Sequence, residues 1–598
     1  MVCRSFIQLI FQLYNSPKGI LNDELAGFYR TKEVVNGETK WALVTQFEAC
    51  DARRALPCWD EPDRKAQFQV TMTAPSDKMV LSNTHVISTV ANEDNTTTTQ
   101  FDKTPIMSTY LLAFIVGNYD QISEDVDGVK VSVYTPIGQS HLGKFSLHCA
   151  VSSLRFFVDY FAIPYPLTKL DMVAVPDFAA GAMENWGLVT YRSTKILSEE
   201  NASFEQKKSN ARTIAHEIAH HWFGNLVTME WWTHLWLNEG FARFCEHIAV
   251  DSIFPEWKVW DHFMKDVLEL AMSLDALDSS HPIEIPVQHP SEIDEIFDAI
   301  SYAKGGSVIR MLQLWIGEDN FRSGLQQYLK KFAYSNALTE DLWDELGKAS
   351  GFPVHDVMSC WTSKMGFPLI SVDIVSWEGS KLVLKLSQSK FANGDTSTQW
   401  KIPVSYITQS NQTHTAFIMD SQTMEITLEL KQGEWVKFNS NGVGFYRVKY
   451  TQQLNQLLHD SLSRLDTRNR FNFLADLDAF AKWNLIPAVD YLKAISALKN
   501  ETNYIILDGI TSGLAKINKF KTKLGIEDKF KQFRREFFSP AYGSVGYEAE
   551  NDVTDGLLQA LLLEILGNSN HTETLDYANA QFTKMTTDLS SVKVNNAF

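Results

Sequence analysis

Apolar and polar residues alternate in short runs near the start of the chain and again well past its middle. Residues 68–73 are one such run, and residues 381–386 and 435–438 belong to the later group. Alternation with a period of two, bounded by turn-forming residues, is typical of strands that bury one face. The pattern therefore predicts a β-sheet domain over residues 1–118 and a small β-sandwich over residues 368–450.

Helical spacing of apolar residues marks the other two parts of the chain. Residues 119–367 combine helical segments with strands. Residues 451–598 follow a helical period, for example at 471–483, 489–498 and 556–566. The four parts together predict a multidomain α+β protein, in which a β-sheet domain, a mixed domain, a β-sandwich and an α-helical domain follow one another.

The start of the chain and its apolar runs bear on membrane association. Residues 6–14 are mostly apolar, but two glutamines interrupt the run and no small-residue cleavage site follows it cleanly. We expect a β-strand here rather than a signal peptide. Because no stretch of about 18 apolar residues occurs, the sequence predicts no membrane span.

The length and net charge of the chain indicate how many domains it has and which partners it is not expected to bind. A chain of 598 residues is too long for a single hydrophobic core and should divide into several domains. Its net charge is -18, with 54 basic and 72 acidic side chains and no block of basic residues. Because such a field repels polyanions, we expect no nucleic-acid partner. The sequence leaves the oligomeric state open.

Cysteine usage indicates the cellular compartment. No two of the six cysteines have Cys-x-x-Cys spacing, and none follows Cys360. A disulfide framework is therefore not expected, and the pattern favours a cytoplasmic protein. The cysteines lie at positions 3, 50, 58, 149, 245 and 360.

Two histidines lie four residues apart in a helix predicted at residues 204–223. His216 and His220 therefore face the same side of that helix and can bind a single metal ion. Glu217 is rotated from them by roughly 100°, which keeps it out of their ligand geometry but within reach of a water on the metal. Glu217 is thus the candidate general base.

A third ligand is expected from a second helix, predicted at residues 233–250. Glu239 follows His220 after 18 intervening residues and lies in the first turns of that helix. Three protein ligands leave one position open for water, as a catalytic zinc site requires. The sequence predicts one Zn²⁺ per chain, bound by His216, His220 and Glu239, whereas His221 is interpreted as a packing or hydrogen-bonded histidine.

A second motif, Gly-Ala-Met-Glu-Asn-Trp-Gly-Leu, occupies residues 181–188 within an apolar stretch. Its small residues allow the backbone to approach a ligand closely. Glu184 brings a carboxylate into apolar surroundings, where an unpaired charge is costly. Its partner is therefore a cation, which is either a nearby lysine or arginine or the α-ammonium group of a bound peptide.

The two motifs together resemble the joint signature of the M1 (gluzincin) aminopeptidases. The similarity runs from about residue 27 onward and is most like the puromycin-sensitive branch of that family. It implies a thermolysin-like fold for residues 119–367 and a helical-repeat fold for residues 451–598. Further matching stretches lie at residues 45–49, 51–55, 57–62, 222–225, 281–284, 297–300 and 301–305.

The resemblance also implies roles for individual residues. It makes Tyr302 the group that stabilises the oxyanion and makes Glu48 and Glu184 the residues that bind the substrate ammonium group. The remaining substrate-binding residues it implies are the backbone of Gly181 and Ala182, with Asn185 of the same motif, and the pocket-lining side chains of Gln46, Met183 and Phe297.

The sequence departs from the family pattern at both ends. The family's first domain normally begins earlier and its last domain is longer, so we expect a chain that is incomplete at both termini and leave open an upstream anchor or signal. Three functional classes follow. These are a zinc aminopeptidase acting on peptides with a free N-terminus, another hydrolase (an endopeptidase or an epoxide hydrolase), and a truncated non-catalytic form that binds peptides or a partner. The intact motifs favour the first.

Overall fold

The computed structural model describes residues 19–35, 38–412, 415–546 and 554–587. The strand predicted at residues 6–14 lies outside this part of the chain. The strands are β1 (Gly27–Val35), β2 (Glu38–Gln46), β3 (Gln69–Pro75), β4 (Met79–Ser82), β5 (Val86–Ala91), β6 (Thr96–Lys103), β7 (Phe114–Gly117), β8 (Asp120–Val126), β9 (Val129–Thr135), β10 (Lys169–Val175), β11 (Ala182–Met183), β12 (Leu188–Arg192), β13 (Val227–Met229), β14 (Ser335–Ala337), β15 (Pro368–Glu378), β16 (Lys381–Lys390), β17 (Ile402–Thr408), β18 (Thr415–Met419), β19 (Thr423–Glu429), β20 (Val436–Phe438) and β21 (Arg447–Tyr450).

Helices occupy the middle and the C-terminal part of the chain. Two π-helical turns, Met264–Glu269 and Ile300–Lys304, adjoin helices of the middle part. The α-helices are α1 (Lys144–Phe161), α2 (Ser193–Ile196), α3 (Phe204–Ala219), α4 (Trp236–Ile253), α5 (Val259–Phe263), α6 (Leu270–Asp275), α7 (Gly305–Ile316), α8 (Glu318–Lys331), α9 (Thr339–Ser350), α10 (Val354–Ser363), α11 (Gln452–Asp460), α12 (Thr467–Lys482), α13 (Ala488–Ser496), α14 (Tyr504–Phe520), α15 (Glu527–Val545), α16 (Asp555–Gly567) and α17 (Thr572–Thr587).

The N-terminal part consists of antiparallel sheets. Strands β1, β2, β7 and β4 are neighbours in that order, and β3, β6 and β5 form another sheet. Gly27 of β1 lies opposite Gln46 at the end of β2. Because β2 ends at Gln46, Glu48 follows directly beyond the sheet, and the peptide bond between Glu48 and Ala49 is cis.

The middle part combines a mixed sheet with packed helices. Its strands are ordered β11, β12, β10, β9 and β8, and β10 runs parallel to both β9 and β12. The short strand β11 pairs antiparallel with β12, which fixes Ala182 and Met183 at the sheet edge. Helix α3 packs against α1 and α4, with residues such as Ile214 and Ile218 fully buried.

The two predicted motif helices form with altered ends. The Ser203 hydroxyl accepts a hydrogen bond from the Gln206 amide and caps α3, but α3 ends at Ala219 rather than continuing to residue 223. The helix stops because the backbone reverses, so that the Asn225 amide donates to the His220 carbonyl. The helix predicted at 233–250 begins later, at Trp236, after a 3-10 turn at Trp232–His234.

A β-sandwich and helices follow. One sheet orders β19, β16, β15 and β21, and the other orders β18, β17 and β20. Beyond β21 the described chain forms helices α11 to α17. The predicted multidomain α+β architecture is confirmed, while the domain boundaries after residues 118, 367 and 450 stay predictions. None of the helices in the described residues has the length and apolarity needed to cross a lipid bilayer.

Candidate active site

His216, His220 and Glu239 meet where α3 ends and α4 begins. The Nε2 atoms of His216 and His220 lie 3.1 and 3.4 Å from the same oxygen of Glu239. A potential ligand atom from each residue lies within 4.8 Å of those of the other two. All three side chains are buried. Two imidazole nitrogens and a carboxylate oxygen are a donor set that zinc binds in catalytic sites.

The Nδ1 atoms of both imidazole rings already have hydrogen-bond partners. Nδ1 of His216 lies 2.9 Å from an oxygen of Glu246, and Nδ1 of His220 lies 2.9 Å from the Phe223 carbonyl oxygen. Donation to these acceptors holds a proton on Nδ1 of each ring and makes Nε2, which faces Glu239, the nitrogen available to a metal ion. The residues present therefore fit a zinc ion.

Glu246 is itself held by two arginines. Nε of Arg212 donates to its Oε1 at 2.8 Å, and Nη1 of Arg243 donates to the same oxygen at 2.9 Å. Burial opposes the charged form of Glu246, but Arg243, Arg212 and the hydrogen bond to His216 outweigh it and hold the pKa of Glu246 well below its usual range. Glu246 thus stays ionised as an acceptor for His216.

Glu217 faces a cleft next to the cluster. The cleft has a volume of about 470 Å³ and is bordered at this end by Gly181, Ala182, Glu217 and Tyr302. Burial raises the pKa of the Glu217 carboxyl to about 8, against the opposing influence of His216 and His220. A carboxyl with a pKa in this range can both accept and return a proton near neutral pH.

Tyr302 reaches the cluster from the π-helical turn Ile300–Lys304. Its ring stacks on His216 with centroids 6.0 Å apart and an interplanar angle of 11°. Gly240 of α4 and Gly305, which follows the turn, allow the turn to lie close to α4, because a Cβ on Gly240 would lie only 3.3 Å from the Cα of Gly305. Burial, followed by the charges of Glu239 and Glu48, raises the pKa of Tyr302 well above its usual range. The hydroxyl is therefore a hydrogen-bond donor.

Glu48 and Glu184 form a second carboxylate group with Glu239, in which potential ligand oxygens lie within 4.8 Å of one another. An oxygen of Glu48 and an oxygen of Glu184 are buried without a hydrogen-bond partner. Burial and the neighbouring carboxylates raise the pKa of Glu48 well above its usual range. Within the described residues, no lysine or arginine forms an ion pair with Glu184, and Nδ1 of His220 lies 3.9 Å from one of its oxygens.

Comparison with known proteins places this geometry in a family. The model of the Peptidase family M1 domain matches residues 145–361. The models of the Peptidase M1 N-terminal domain and the ERAP1-like C-terminal domain match residues 11–111 and 435–596. The chain belongs to the M1 peptidase family. The predicted resemblance is confirmed.

Individual M1 relatives cover most of the chain. It is 43% identical over 579 residues to "Aminopeptidase M1-A" of Oryza sativa subsp. japonica, which matches 94% of the chain. It is 39% identical over 588 residues to "Puromycin-sensitive aminopeptidase" of Caenorhabditis elegans, which matches 95% of the chain. "Alanine/arginine aminopeptidase" of Saccharomyces cerevisiae is 43% identical over 503 residues, or 83% of the chain. The chain spans 65%, 61% and 58% of the lengths of these three proteins.

The other predicted substrate-binding residues of this M1 peptidase have different surroundings. Met183 is buried in β11, and the side-chain nitrogen of Asn185 donates to the Thr190 hydroxyl at 3.2 Å. Gln46 has a buried side-chain oxygen without a hydrogen-bond partner. Phe297 follows the 3-10 segment Pro290–Ile296, and its ring packs against Trp232.

His221 has no place in the ligand set of the M1 site. Its Nδ1 lies 3.0 Å from the side-chain nitrogen of Asn225, which also donates to the Glu184 carbonyl oxygen at 2.9 Å. Burial lowers the pKa of His221 to about 3. The neutral imidazole thus accepts a hydrogen bond from Asn225, which joins the segment after α3 to the Glu184 segment.

Sequence reasoning missed the residues that support the M1 ligands. Arg243 and Glu246 follow Glu239 by four and seven positions on α4. This spacing puts all three on one helix face, so the period of the helix was a usable signal. Arg212 precedes His216 by four positions on α3 and so lies on the same helix face, but its contact with Glu246 depends on how α3 packs against α4.

Proposed function

We propose that this chain is a zinc-dependent aminopeptidase, which hydrolyses the first peptide bond of peptides with a free N-terminus. The observation that carries the proposal is the position of Glu48 and Glu184 beside the ligand set of His216, His220 and Glu239. Buried carboxylates that lack a lysine or arginine partner in the described residues favour a cationic ligand, and the α-ammonium group of a peptide is one. A peptide held by its amine would present only its first bond.

His216, His220 and Glu239 would hold one zinc ion per chain. Zinc bound by such residues supplies a Lewis acid that polarises a carbonyl group and lowers the pKa of water toward neutrality. Glu246 and the Phe223 carbonyl keep both rings in the tautomer that leaves Nε2 free for a metal.

Glu217 and Tyr302 would serve the reacting groups. As water adds to the scissile carbonyl carbon, the Glu217 carboxylate accepts its proton, and as the C–N bond breaks the same carboxyl returns that proton to the amine nitrogen. The Tyr302 hydroxyl would donate a hydrogen bond to the carbonyl oxygen as it becomes negative. Loss of one such donor typically costs about 3 kcal/mol of transition-state stabilisation.

The remaining assignments belong to the same proposal. The Gly181 and Ala182 backbone would bind the peptide, and Gln46, Met183 and Phe297 would border the pocket for the first side chain, with Asn185 supporting the motif. The names of the relatives, all aminopeptidases, support the exopeptidase class. A non-catalytic form is not favoured, because Glu217 and the ligand set are all present. A cytoplasmic location accords with the cysteine pattern.

The aminopeptidase proposal is tested with matched peptides that differ only in acetylation of the N-terminal amine. Acetylation removes the cation that Glu48 and Glu184 would bind, a loss of about 3 kcal/mol or roughly a hundredfold in kcat/KM. Mass spectrometry should find stepwise shortening of the free peptide and almost none of the blocked one. Internal cleavage of both peptides at comparable rates would instead show an endopeptidase.

A further inference from the structure

The cleft beyond Glu217 carries positive charge that the proposed chemistry does not use. Besides Gly181, Ala182, Glu217 and Tyr302, it is lined by four basic and three further acidic side chains. These are Lys195, Lys208, Arg212, Arg243, Glu205, Glu246 and Asp266. The question is which of the cations remains free to bind a ligand.

Most of these charges already pair with one another. Glu205 binds Lys208 at 2.8 Å, and Asp266 lies 3.6 Å from Lys208 and 3.8 Å from Arg212. Glu246 accepts from Arg212 and Arg243. All three acidic side chains thus have basic partners, so none is free for Lys195.

Lys195 differs from these paired cations. It lies in α2 and is half-buried, and its Nζ donates to the Ser209 hydroxyl at 2.9 Å. Nearby Arg192 donates to the carbonyl oxygens of Phe178 and Ala179. Across the described chain, no carboxylate forms an ion pair with Lys195 or Arg192. Lys195 is therefore a cation of the cleft lining without a carboxylate partner among the described residues, and Arg192 adds its charge from outside the lining.

The direction of the cleft indicates what could reach Lys195. Glu48 and Glu184, the groups for the substrate amine, do not line the cleft, whereas His216 and Glu217 do. A peptide held by its amine at the carboxylates and cleaved beside Glu217 would extend its remaining residues into the cleft. The part of the substrate that follows the scissile bond thus runs toward Lys195.

The helix geometry gives the distance. Ser209, which holds the Lys195 ammonium group, precedes His216 by seven residues on α3, or about 10 Å along the helix axis. An extended peptide advances roughly 3.3–3.6 Å per residue, so about three residues fill this length. A group near Lys195 would belong to the third residue after the scissile bond.

We propose that Lys195, supported by the charge of Arg192, forms an anion subsite for a carboxylate carried about three residues beyond the scissile bond. The inference rests on the proposed aminopeptidase function and adds a preference for the distal part of the substrate. The carboxylate has two sources, the C-terminus of a tetrapeptide or an acidic side chain at the fourth position of a longer peptide. A half-buried charge pair of this kind contributes modestly, so the expected preference is roughly three- to tenfold.

The test compares two pairs of peptides by kcat/KM. One pair is a tetrapeptide as free acid and as C-terminal amide, and the other is a longer amidated peptide with Glu or Gln at the fourth position. The intact chain should favour the anionic member roughly three- to tenfold, and Lys195→Gln should bring that ratio close to one. If Lys195→Gln abolishes the preference in only one pair, that pair identifies the source of the carboxylate. If it abolishes the preference in both pairs, the subsite binds a carboxylate from either source.

Two further variants control for structure. Lys195→Arg keeps the charge and should keep the preference. Lys207→Gln removes a lysine whose Nζ donates to the Glu200 carbonyl at 2.8 Å outside the cleft lining, and it should leave the preference unchanged. Equal losses for the acid and the amide in Lys195→Gln would mean that Lys195 only supports the cleft, and an unaltered ratio would mean that it binds no anion. Either result overturns the proposal.

Binding measurements separate this inference from the proposed function. In the Glu217→Gln background, titration calorimetry of the same peptides should give the same ratio of Kd values and the same loss with Lys195→Gln. If the intact chain cleaves no peptide, the proposed function fails, and the Kd ratio still decides whether Lys195 binds the carboxylate. A Kd ratio of one in the Lys195 protein would contradict the subsite.

Discussion

Each imidazole of the ligand cluster is fixed through its outer nitrogen, and for His216 the partner is a charged side chain rather than a backbone carbonyl. Glu246 sits between His216 and the guanidinium groups of Arg212 and Arg243. A carboxylate in this place orients the ring and increases its basicity as a ligand. Metal affinity should therefore depend on a residue that touches no metal.

Glu246→Gln tests this dependence. The amide keeps the shape but loses the charge, and removal of such a partner typically weakens metal binding by roughly 10- to 100-fold. Competition with a chelator of known affinity gives the dissociation constant of zinc. Glu345→Gln is the matched control, because Glu345 also pairs with two cations, Lys331 and Lys348, but lies on α9 and outside the ligand cluster. Equal zinc affinities in both variants would contradict a role for Glu246.

Glu217→Gln should separate metal binding from catalysis. The glutamine amide cannot accept the proton of the attacking water, so turnover should fall by at least roughly a hundredfold while zinc content stays near one per chain. His216→Ala should instead lose most of its zinc, and its turnover should fall because the metal is missing. Turnover of an aminoacyl arylamide and metal analysis of the same samples report both quantities. Wild-type turnover by Glu217→Gln would exclude it as the base.

The sequence predicted the site residues unevenly. His216, Glu217 and His220 are fixed relative to one another by the pitch of a single helix, so their spacing was enough. Glu239 comes from another helix, and its 3.1 Å approach to His216 depends on how α3 and α4 pack. Spacing along each helix places Arg212 on the face of His216 and Glu246 on the face of Glu239, but their contact depends on how the two helices pack and is not encoded in either one.

At the scale of elements, the turn that carries Tyr302 is anchored at its start by a charged pair. The Asp298 carboxylate accepts hydrogen bonds from the backbone amides of Ile300 and Ser301 at 2.9 and 3.1 Å. Its other oxygen lies 2.9 Å from Nε2 of His281, whose Nδ1 faces the Pro282 carbonyl at 2.6 Å. Since both ring nitrogens face acceptors, the arrangement favours the doubly protonated imidazolium.

This pair should make stability depend on pH. The hydrogen bond to Asp298 raises the pKa of His281, so its stabilisation is complete below the unfolded pKa of about 6.5 and is lost as pH rises through the folded pKa. The pKa of Asp298 is lowered: burial opposes this, but the hydrogen bond from His281 outweighs it. The stabilisation that the Asp298 carboxylate contributes is therefore lost only at acidic pH, as the pH falls through the folded pKa of Asp298.

His281→Gln tests whether the stabilisation from this pair decreases as the pH rises. The variant should be less stable than the unmodified chain by about 1 kcal/mol or less near pH 5 to 6, because the pair is partly exposed to solvent. The difference should shrink as the pH rises above about 6.5 and through the higher folded pKa of His281. Denaturant unfolding at several pH values measures it. A difference that grows with rising pH would contradict the assignment.

Elements were predicted better than their ends. The alternating run at 381–386 lies inside β16, and the helical run at 471–483 overlaps α12, because a period along the chain is a local property. The end of α3 at Ala219 was not predicted. It depends on hydrogen bonds from the following loop to the last carbonyls, which the period does not encode.

At the scale of the whole molecule, Arg447 joins three parts of the chain. It lies in β21 and donates to Glu269 of the turn Met264–Glu269 and to Asp476 of α12. The arginine is 3% exposed. Burial raises the pKa of Asp476 to about 6, against the opposing influence of Arg447. The middle part, the sandwich and the helical part therefore meet at one buried cation.

Arg447→Met should loosen this junction. It leaves Glu269 and Asp476 without their cation, and breaking a buried pair in this way typically costs about 3 to 5 kcal/mol. Thermal unfolding should begin at a clearly lower temperature. Arg464→Met, at an exposed arginine that bonds the Ser461 hydroxyl, should change stability by no more than about 0.5 kcal/mol. Additional replacement of Asp476 by Leu should recover part of the loss in Arg447→Met.

The pairing of β15 with β21 has a consequence for how the chain is assembled. These strands run parallel and side by side, with Leu369 opposite Arg447 and Val372 opposite Tyr450. The polypeptide therefore enters the sandwich near Leu369 and leaves it beside Val372, about 10 Å further along the strand direction. A segment whose two ends lie this close together can be lengthened, shortened or exchanged while the path of the flanking chain stays the same.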